Sequence, residues 1–197
     1  MKKYCWLLIA FAWQGLLPAQ ALSGISTRWS DSFVEWELFV LADTTQTEED
    51  DAEAPDEEVF GELKLRWLNL RDDWSEWDYT LGDQRGTIKL KWKDDPNQWE
   101  LRTYDGAVVT MRTAWNGDLS EWRITDNKMS LNLRCRWSNQ LDEWLVQDSN
   151  RGSFYLYTMR RGDPRDWAIE DHLDESISLP VKMAMVFLTV FHASPRM

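Results

Sequence analysis

The chain has 197 residues, 14 of them tryptophan, and a formal net charge of -12. This acidic balance argues against binding to nucleic acid or to an anionic membrane surface, since both attract basic patches. The length suits a single domain that buries its own core.

The first 21 residues have the three-part pattern of a secretory signal peptide. Two lysines precede an apolar stretch from Trp6 to Leu17, and Ala19-Gln20-Ala21 follows. The apolar stretch is shorter than the roughly 20 residues that a membrane-spanning helix needs. We therefore expect a signal peptide at residues 1–21, export to the periplasm or the extracellular space, and no transmembrane segment after cleavage.

Cleavage would leave a domain at residues 22–197 with one cysteine, Cys135. One cysteine cannot form an intramolecular disulfide, although exported proteins often use them. Packing must therefore stabilise the domain.

Residues 42–58 contain nine acidic residues and neither a base nor an aromatic residue. Such a segment cannot bury enough apolar area to offset the entropy of ordering it, so we predict a mobile, solvated loop. A calcium site is the alternative, because carboxylate oxygens suit this ion, but the alternating Asp-x-Asp-x-Asp-Gly arrangement of a calcium loop is missing.

Tryptophans recur in pairs separated by six residues. The pairs are Trp29 and Trp36, Trp67 and Trp74, Trp92 and Trp99, Trp115 and Trp122, and Trp137 and Trp144. A sixth unit, Arg160 to Trp167, keeps the spacing with arginine in the leading place. This periodicity indicates an internal structural repeat.

Apolar residues alternate before each leading tryptophan, as in Leu63, Leu65 and Trp67, and again briefly after the second. Strict alternation is typical of half-buried strands. The segments between paired tryptophans are rich in Asp, Asn, Gly and Pro, which favour turns. Each repeat is therefore predicted to be a β-hairpin, with the two tryptophan rings meeting across neighbouring strands at the mouth of the turn.

The other face of the rising strands is basic. Its residues are Lys64, Arg66, Lys89, Lys91, Lys93, Arg112, Arg134, Arg136 and Arg161. We interpret them as a solvated outer face that compensates neighbouring acids, with an anion-binding belt as the alternative.

Residues 181–193 are almost continuously apolar. Their β-branched and aromatic residues favour a strand buried on both faces. We expect this strand to close the sheet against Leu22 to Arg28, because an open meander would expose aggregation-prone edges.

These elements predict an all-β fold: an antiparallel up-and-down meander of about six tryptophan-clasped hairpins, or about twelve strands, closing into a shallow barrel. The hairpin period with paired tryptophans resembles the β-flowers, shallow barrels of radial symmetry, over about residues 22–193. β-Flowers are similar in shape to the tubby-type barrel, which binds phospholipid, but lack its central helix. The resemblance therefore implies a closed barrel without a central helix, and it assigns no site residue.

Candidate catalytic groups are sparse. His172 and His192 each stand alone, and Cys135 falls on the tryptophan-bearing face, where a small buried residue is expected. Asp142 with Glu143, or Asp118 with Glu121, could act as acid and base in glycoside hydrolysis. Similar acids recur in nearly every turn, which indicates turn formation instead. We expect no enzyme, no metal and no cofactor.

We interpret the chain as an exported, non-catalytic binding module for a lipid-like, apolar or amphiphilic ligand or for a partner protein. The candidate ligand-binding residues are Trp92, Trp99, Trp115, Trp122, Trp137 and Trp144. The alternatives are a structural envelope component and a protein that binds or acts on glycans through tryptophans and turn carboxylates.

Overall fold

A computed structural model describes residues 21–41, 57–68, 73–137 and 140–195. The predictions for the leader at residues 1–20 and for most of the acidic loop, residues 42–56, lie outside this part.

Twelve strands and one helix follow in chain order. They are β1 (Leu22–Trp29), β2 (Ser32–Leu41), β3 (Glu57–Leu65), β4 (Glu76–Leu81), β5 (Gln84–Leu90), β6 (Gln98–Thr103), β7 (Val108–Thr113), β8 (Glu121–Thr125), β9 (Ser130–Trp137), β10 (Gln140–Asp148), β11 (Gly152–Arg160), β12 (Asp163–Leu173) and α1 (Leu179–Ala193).

The strands form one closed antiparallel barrel in which each strand pairs with its neighbours in sequence. Closure is made by β1 and β12, where Gly24 lies opposite Ala168 and Ile25 opposite Trp167. The all-β fold class and the up-and-down barrel of twelve strands are confirmed.

Side chains alternate between the two faces of the wall, as predicted. Leu63 and Leu65 of β3 are buried inside the barrel, whereas Lys64 between them is exposed. The inward residues of all twelve strands join one hydrophobic core.

The prediction of a closing strand at residues 181–193 is wrong. These residues belong to α1, and every residue from Pro180 to Phe191 is buried. The sequence also carries helix signals: Ser178 lies at the N-terminus, Pro180 falls in the first turn, and 15 residues exceed the usual length of a buried strand.

The size of the barrel explains why this segment is helical. Side chains fill the interior of a barrel of about eight strands, but wider barrels leave space. A helix fills that space and satisfies its own backbone hydrogen bonds, whereas an extended segment there would leave its amide and carbonyl groups unpaired. A helix that is apolar all round suits complete enclosure. The helix also departs from the helix-free shape that the resemblance implied.

The buried helix carries one charged side chain. Lys182 Nζ lies 2.7 Å from Asp171 Oδ2 of β12, and both side chains are almost inaccessible to solvent, at 3% and 0% exposed. The same carboxylate oxygen accepts a longer hydrogen bond, 3.4 Å, from the backbone amide of Leu22. Asp171 therefore joins the helix to both strands of the barrel's closing seam.

Candidate binding site at the tryptophan end of the barrel

The meander places related connections at the same end of the barrel. The connections that follow β1, β3, β5, β7, β9 and β11 lie at one end, here called the tryptophan end, and those that follow the even-numbered strands lie at the loop end. Because β12 finishes at the loop end, α1 enters there and its C-terminus reaches the tryptophan end.

Each hairpin has one tryptophan in its second strand that lies in the core. These residues, here called the inner tryptophans, are 0–2% exposed: Trp36, Trp77, Trp99, Trp122, Trp144 and Trp167. Several pack on the helix, with the Trp99 ring 4.9 Å from Phe187 and 4.7 Å from Phe191, and the Trp122 ring stacked 4.9 Å from His192. They bind the barrel wall to its central helix.

The inner tryptophans share one hydrogen bond. In five of them Nε1 donates to the carbonyl oxygen three residues earlier, at 2.9–3.1 Å; the acceptors are Phe33, Trp74, Leu119, Leu141 and Pro164. Trp99 is the exception, since its Nε1 is buried without a partner among the described residues. The bond ties each indole to its own turn.

The leading tryptophans have the opposite environment. They form what we call the tryptophan rim: Trp29, Trp67, Trp92, Trp115 and Trp137, which are 54%, 43%, 60%, 69% and 47% exposed. Trp29 and Trp137 end their strands, and the other three follow their strands by two residues. The rim tryptophans therefore continue the alternation of inward-facing positions along the odd-numbered strands, but they lie past the end of the core.

The prediction that paired tryptophans clasp each other across the hairpin is wrong. The leading ring lies beyond the wall, whereas the second ring turns into the core. In the second hairpin the inner tryptophan is Trp77, and Trp74 is half-buried against it at 6.0 Å. The spacing of six instead reflects the length of the connection between the exposed leading position and the first buried tryptophan of the next strand, and the second hairpin departs from it, since Trp77 lies ten positions after Trp67.

The six candidate ligand-binding tryptophans divide into two groups. Trp92, Trp115 and Trp137 belong to the accessible rim, and Trp99, Trp122 and Trp144 are enclosed in the core. A ligand can reach the first group without any rearrangement of the barrel.

Basic residues lie beside several rim tryptophans. The guanidinium groups of Arg28, Arg66 and Arg136 lie 5.8, 5.9 and 5.3 Å from the ring centres of the tryptophans that follow them. Such cation–π contacts are worth about 0.5–1 kcal/mol at exposed sites. The sequence displays these Arg-Trp dipeptides, but only the fold brings them to one end.

The acids of these turns form local hydrogen bonds. Asp73, Asp95, Asp118 and Asp163 each accept a bond from the backbone amide two residues on, at 2.9–3.2 Å. Hydrogen bonds from Ser75, Ser120 and Arg165 lower the pKa of Asp73, Asp118 and Asp163, the last to about 2. The interpretation of the recurrent acids as turn formers is confirmed.

The outer wall pairs its basic residues with acids. Arg66 contacts Glu76 and Asp78, Arg28 contacts Glu62, and Arg136 Nη1 lies 3.0 Å from Glu143. These pairs support a solvated, charge-compensated surface.

Two of the four carboxylates that we considered for catalysis, Glu143 and Asp118, have structural partners. Glu143 accepts hydrogen bonds from the Tyr155 hydroxyl at 2.6 Å and from Arg136, and the tyrosine bond is the main cause of its lowered pKa. A general acid for glycoside hydrolysis requires the opposite shift. Asp118 is held by Ser120 in the same way.

The remaining candidates are not grouped. Cys135 is half-buried against the core, where burial raises the pKa of its thiol, and its Sγ lies 2.7 Å from the Gln140 carbonyl oxygen. His192 stacks on Trp122 inside the barrel, whereas His172 lies in β12. Among the described residues no three His, Cys, Asp or Glu side chains are placed to hold a metal ion.

Two tyrosines on the outer wall were missed by the sequence analysis. Tyr155 and Tyr157 of β11 are half-buried, with ring centres 5.1 Å apart, beside Trp137 of the rim. The available signal was their place in the repeat, since Tyr157 stands where four earlier repeats have lysine or arginine.

Within the described ranges no helix is long and apolar enough to span a membrane. No protein-family model, no curated protein and no solved structure matches the chain.

Proposed function

We propose that this protein is a non-catalytic binding module that seats its tryptophan rim on a lipid–water interface. The observation that carries the proposal is the collection of five exposed tryptophans at one end of a closed barrel. Export from the cytoplasm, as the leader predicts, would bring the module to the envelope or to other extracellular lipid.

Tryptophan suits this role because its ring is apolar and its N–H is polar, which favours the boundary between acyl chains and headgroups. A tryptophan side chain buries about 150–250 Å². Withdrawing roughly half of that area from water is worth on the order of 2 kcal/mol per ring. Several rings that engage together would outweigh the entropic cost of association.

The charges at this end support a zwitterionic interface. Arg28, Arg66 and Arg136 lie against rim rings and also pair with Glu62, Glu76 and Glu143, so the charges beside the rim are balanced. The chain remains acidic overall. We therefore expect phosphatidylcholine to suffice and anionic lipid not to be required.

The resemblance to β-flowers remains a proposal about shape. An enclosed helix is a feature of the tubby-type barrel and not of β-flowers. The present barrel therefore shares its hairpin repeats with β-flowers and its central helix with the tubby-type barrel. The tryptophan rim, and not this resemblance, is what favours lipid as the ligand.

Flotation with phosphatidylcholine vesicles tests the proposal. The protein would begin at Leu22, because all described strands and the helix lie within residues 22–193 and the apolar leader would itself bind lipid. The test variant is Trp92→Ala with Trp115→Ala. The control is Tyr104→Ala, since Tyr104 is 73% exposed at the loop end.

We expect the wild type and Tyr104→Ala to float equally. The double variant should bind roughly 1,000-fold more weakly, because two rings at about 2 kcal/mol each lose about 4 kcal/mol and 1.4 kcal/mol is tenfold. Equal flotation of the double variant, or no flotation of the wild type, would refute the proposal. Concentration-dependent dimers that the double variant abolishes, without vesicle binding, would identify a second copy of the chain as the occupant of the rim.

A further inference from the structure

The sixth hairpin departs from the repeat in three places on one strand. Arg160 replaces the leading tryptophan, Met159 stands where four repeats have a basic residue, and Tyr157 stands where Lys64 and Lys89 lie in other repeats. The rim therefore has a gap between Trp137 and Trp29, at β11 and β12. A site with its own function is expected to differ from the repeat in this way.

Two cavities meet at this gap. One, of about 230 Å³, lies at the barrel mouth, and the other, of about 490 Å³, lies on the outer wall. Both are lined by the same four residues: Gln140, Asp142, Thr158 and Arg161. The two cavities are therefore neighbours that share part of their lining.

The mouth cavity is largely apolar. Leu141, Pro164, the inner tryptophan Trp167 and Ala193 at the end of the helix contribute to its walls. Its volume lies below the roughly 300–1,000 Å³ of pockets for whole drug-sized ligands. It can therefore accept a short alkyl chain, but no large ring system.

The outer cavity combines aromatic rings with carboxylates. Trp137, Tyr155 and Tyr157 supply the rings, and Glu143 and Glu170 lie beside them. The tyrosines are fixed in place, because the Tyr155 hydroxyl donates to Glu143 at 2.6 Å and the Tyr157 hydroxyl to Glu170 at 3.3 Å. Fixed rings lose little entropy when a ligand stacks on them.

One residue that lines both cavities has a side-chain acceptor without a donor. Asp142 Oδ1 is buried and accepts no hydrogen bond from the described residues. A buried oxygen without a donor costs free energy, which a rotation of the carboxylate toward a ligand hydroxyl would recover. Arg161, which also lines both cavities, supplies donors for an oxygen of the same ligand.

We propose that this site binds an amphiphile whose polar end is a neutral, hydroxyl-bearing ring, such as an alkyl glycoside or the exposed end of a glycolipid. The alkyl chain occupies the mouth cavity, and the sugar lies on the outer wall against the tyrosines. Its hydroxyl groups donate to Asp142 and accept from Arg161.

The charges distinguish this headgroup from others. Three carboxylates line the outer cavity and one arginine, Arg161, accompanies them, so an anionic headgroup would be repelled. Arg161 and the nearby Arg136 leave only a small excess of negative charge, and a quaternary ammonium group has no N–H to donate to Asp142. A sugar has no net charge, and it offers both hydroxyl donors and an apolar face to the rings.

The inference deepens the proposed lipid-binding function and rests on it, yet its test needs no bilayer. Titration calorimetry would use octyl glucoside below its micelle-forming concentration, with octanoate and octyltrimethylammonium as matched probes. We expect binding of octyl glucoside with an affinity at least tenfold above either charged probe. Binding without vesicle flotation would refute rim docking alone, and flotation without glucoside binding would refute the site alone.

Two variants test the two parts of the site. Tyr157→Lys restores the residue type of the other repeats, so it preserves the fold, and we expect an affinity for octyl glucoside about three- to tenfold lower. Leu141→Asp places a charge at the mouth cavity and should abolish binding of the alkyl chain. The controls are Tyr104→Lys and Leu68→Asp, which alter exposed residues outside the site.

Unchanged affinity in both site variants would overturn the proposal. So would equal losses in the controls, or tighter binding of either charged probe. If the site binds octyl glucoside, its binding to glycolipid-bearing vesicles should be compared with its binding to free octyl glucoside. This comparison distinguishes a membrane source of the ligand from a soluble one.

Discussion

The leading and the inner tryptophans belong to the same hairpins, yet their environments are opposite. Trp115 is 69% exposed and Trp122, seven positions later, is 0% exposed. The difference shows that a recurrent residue type does not imply a recurrent role. The inner positions hold the wall to the helix, and the leading positions leave an apolar rim that the fold itself does not need.

The largest effect on stability should come from replacing an inner tryptophan with alanine. We expect Trp122→Ala to lower the free energy of unfolding by about 3–5 kcal/mol, because it leaves a cavity against the helix. Trp115→Ala should change it by no more than about 0.5 kcal/mol, as exposed positions do. Urea unfolding of both variants measures the contrast, and equal losses would show that the rim contributes to the core.

Ion pairs show the same contrast between buried and exposed positions. Asp171 and Lys182 are almost completely buried, whereas Arg28 and Glu62 are 45% and 46% exposed. We expect Asp171→Ala to cost about 3–5 kcal/mol, because Lys182 would keep a buried and unpaired charge. Glu62→Ala should cost about 1 kcal/mol or less.

Combining Asp171→Ala with Lys182→Met should recover much of the stability lost in Asp171→Ala, since no buried charge would remain. A double variant that is no more stable than the single one would mean that cavity formation dominates. Chemical unfolding of all three variants distinguishes the two outcomes.

A smaller effect separates two inner tryptophans. Trp122 Nε1 donates to the Leu119 carbonyl oxygen at 2.9 Å, whereas Trp99 Nε1 is buried without a partner among the described residues. Trp122→Phe should therefore cost about 1 kcal/mol more than Trp99→Phe. Melting curves of the two variants test this, and a larger loss for Trp99→Phe would contradict it.

The smallest effect should come from a turn acid at the tryptophan end. Asp163 has a pKa of about 2 because Arg165 donates to its carboxylate. Its folded pKa lies below the unfolded value, so its contribution is present above about pH 4 and disappears as the pH falls toward 2.

Urea unfolding at pH 5 and pH 2.5 should therefore show a slightly smaller acid-induced loss for Asp163→Asn than for the wild type. Asp83→Asn, in an exposed turn at the loop end, serves as the control and should follow the wild type. An identical pH response of the wild type and Asp163→Asn would contradict the assignment.

The sequence predicted the hairpins because their signals are local. The alternation of apolar and polar residues in segments such as Leu63 to Leu65 indicates a strand with one buried face. The aspartates of the turns stabilise those turns by accepting hydrogen bonds from nearby backbone amides. The closed barrel followed from the number of hairpins. Within the candidate site, the rim positions Trp92, Trp115 and Trp137 were identified, but they could not be distinguished from Trp99, Trp122 and Trp144.

Tertiary structure decided which segment fills the barrel and which tryptophans are buried, because both depend on the interior volume of the barrel. Residues 181–193 are apolar enough for a buried strand or a buried helix; Pro180 and the length of the segment favour the helix, and the width of a twelve-stranded barrel gives it a place. The same enclosure decides which tryptophan of each hairpin meets the helix and which extends past the wall. The sequence repeat thus determined the strands and hairpins of the barrel wall. The volume that the wall encloses determined that a helix fills the barrel and that the leading tryptophans stay exposed.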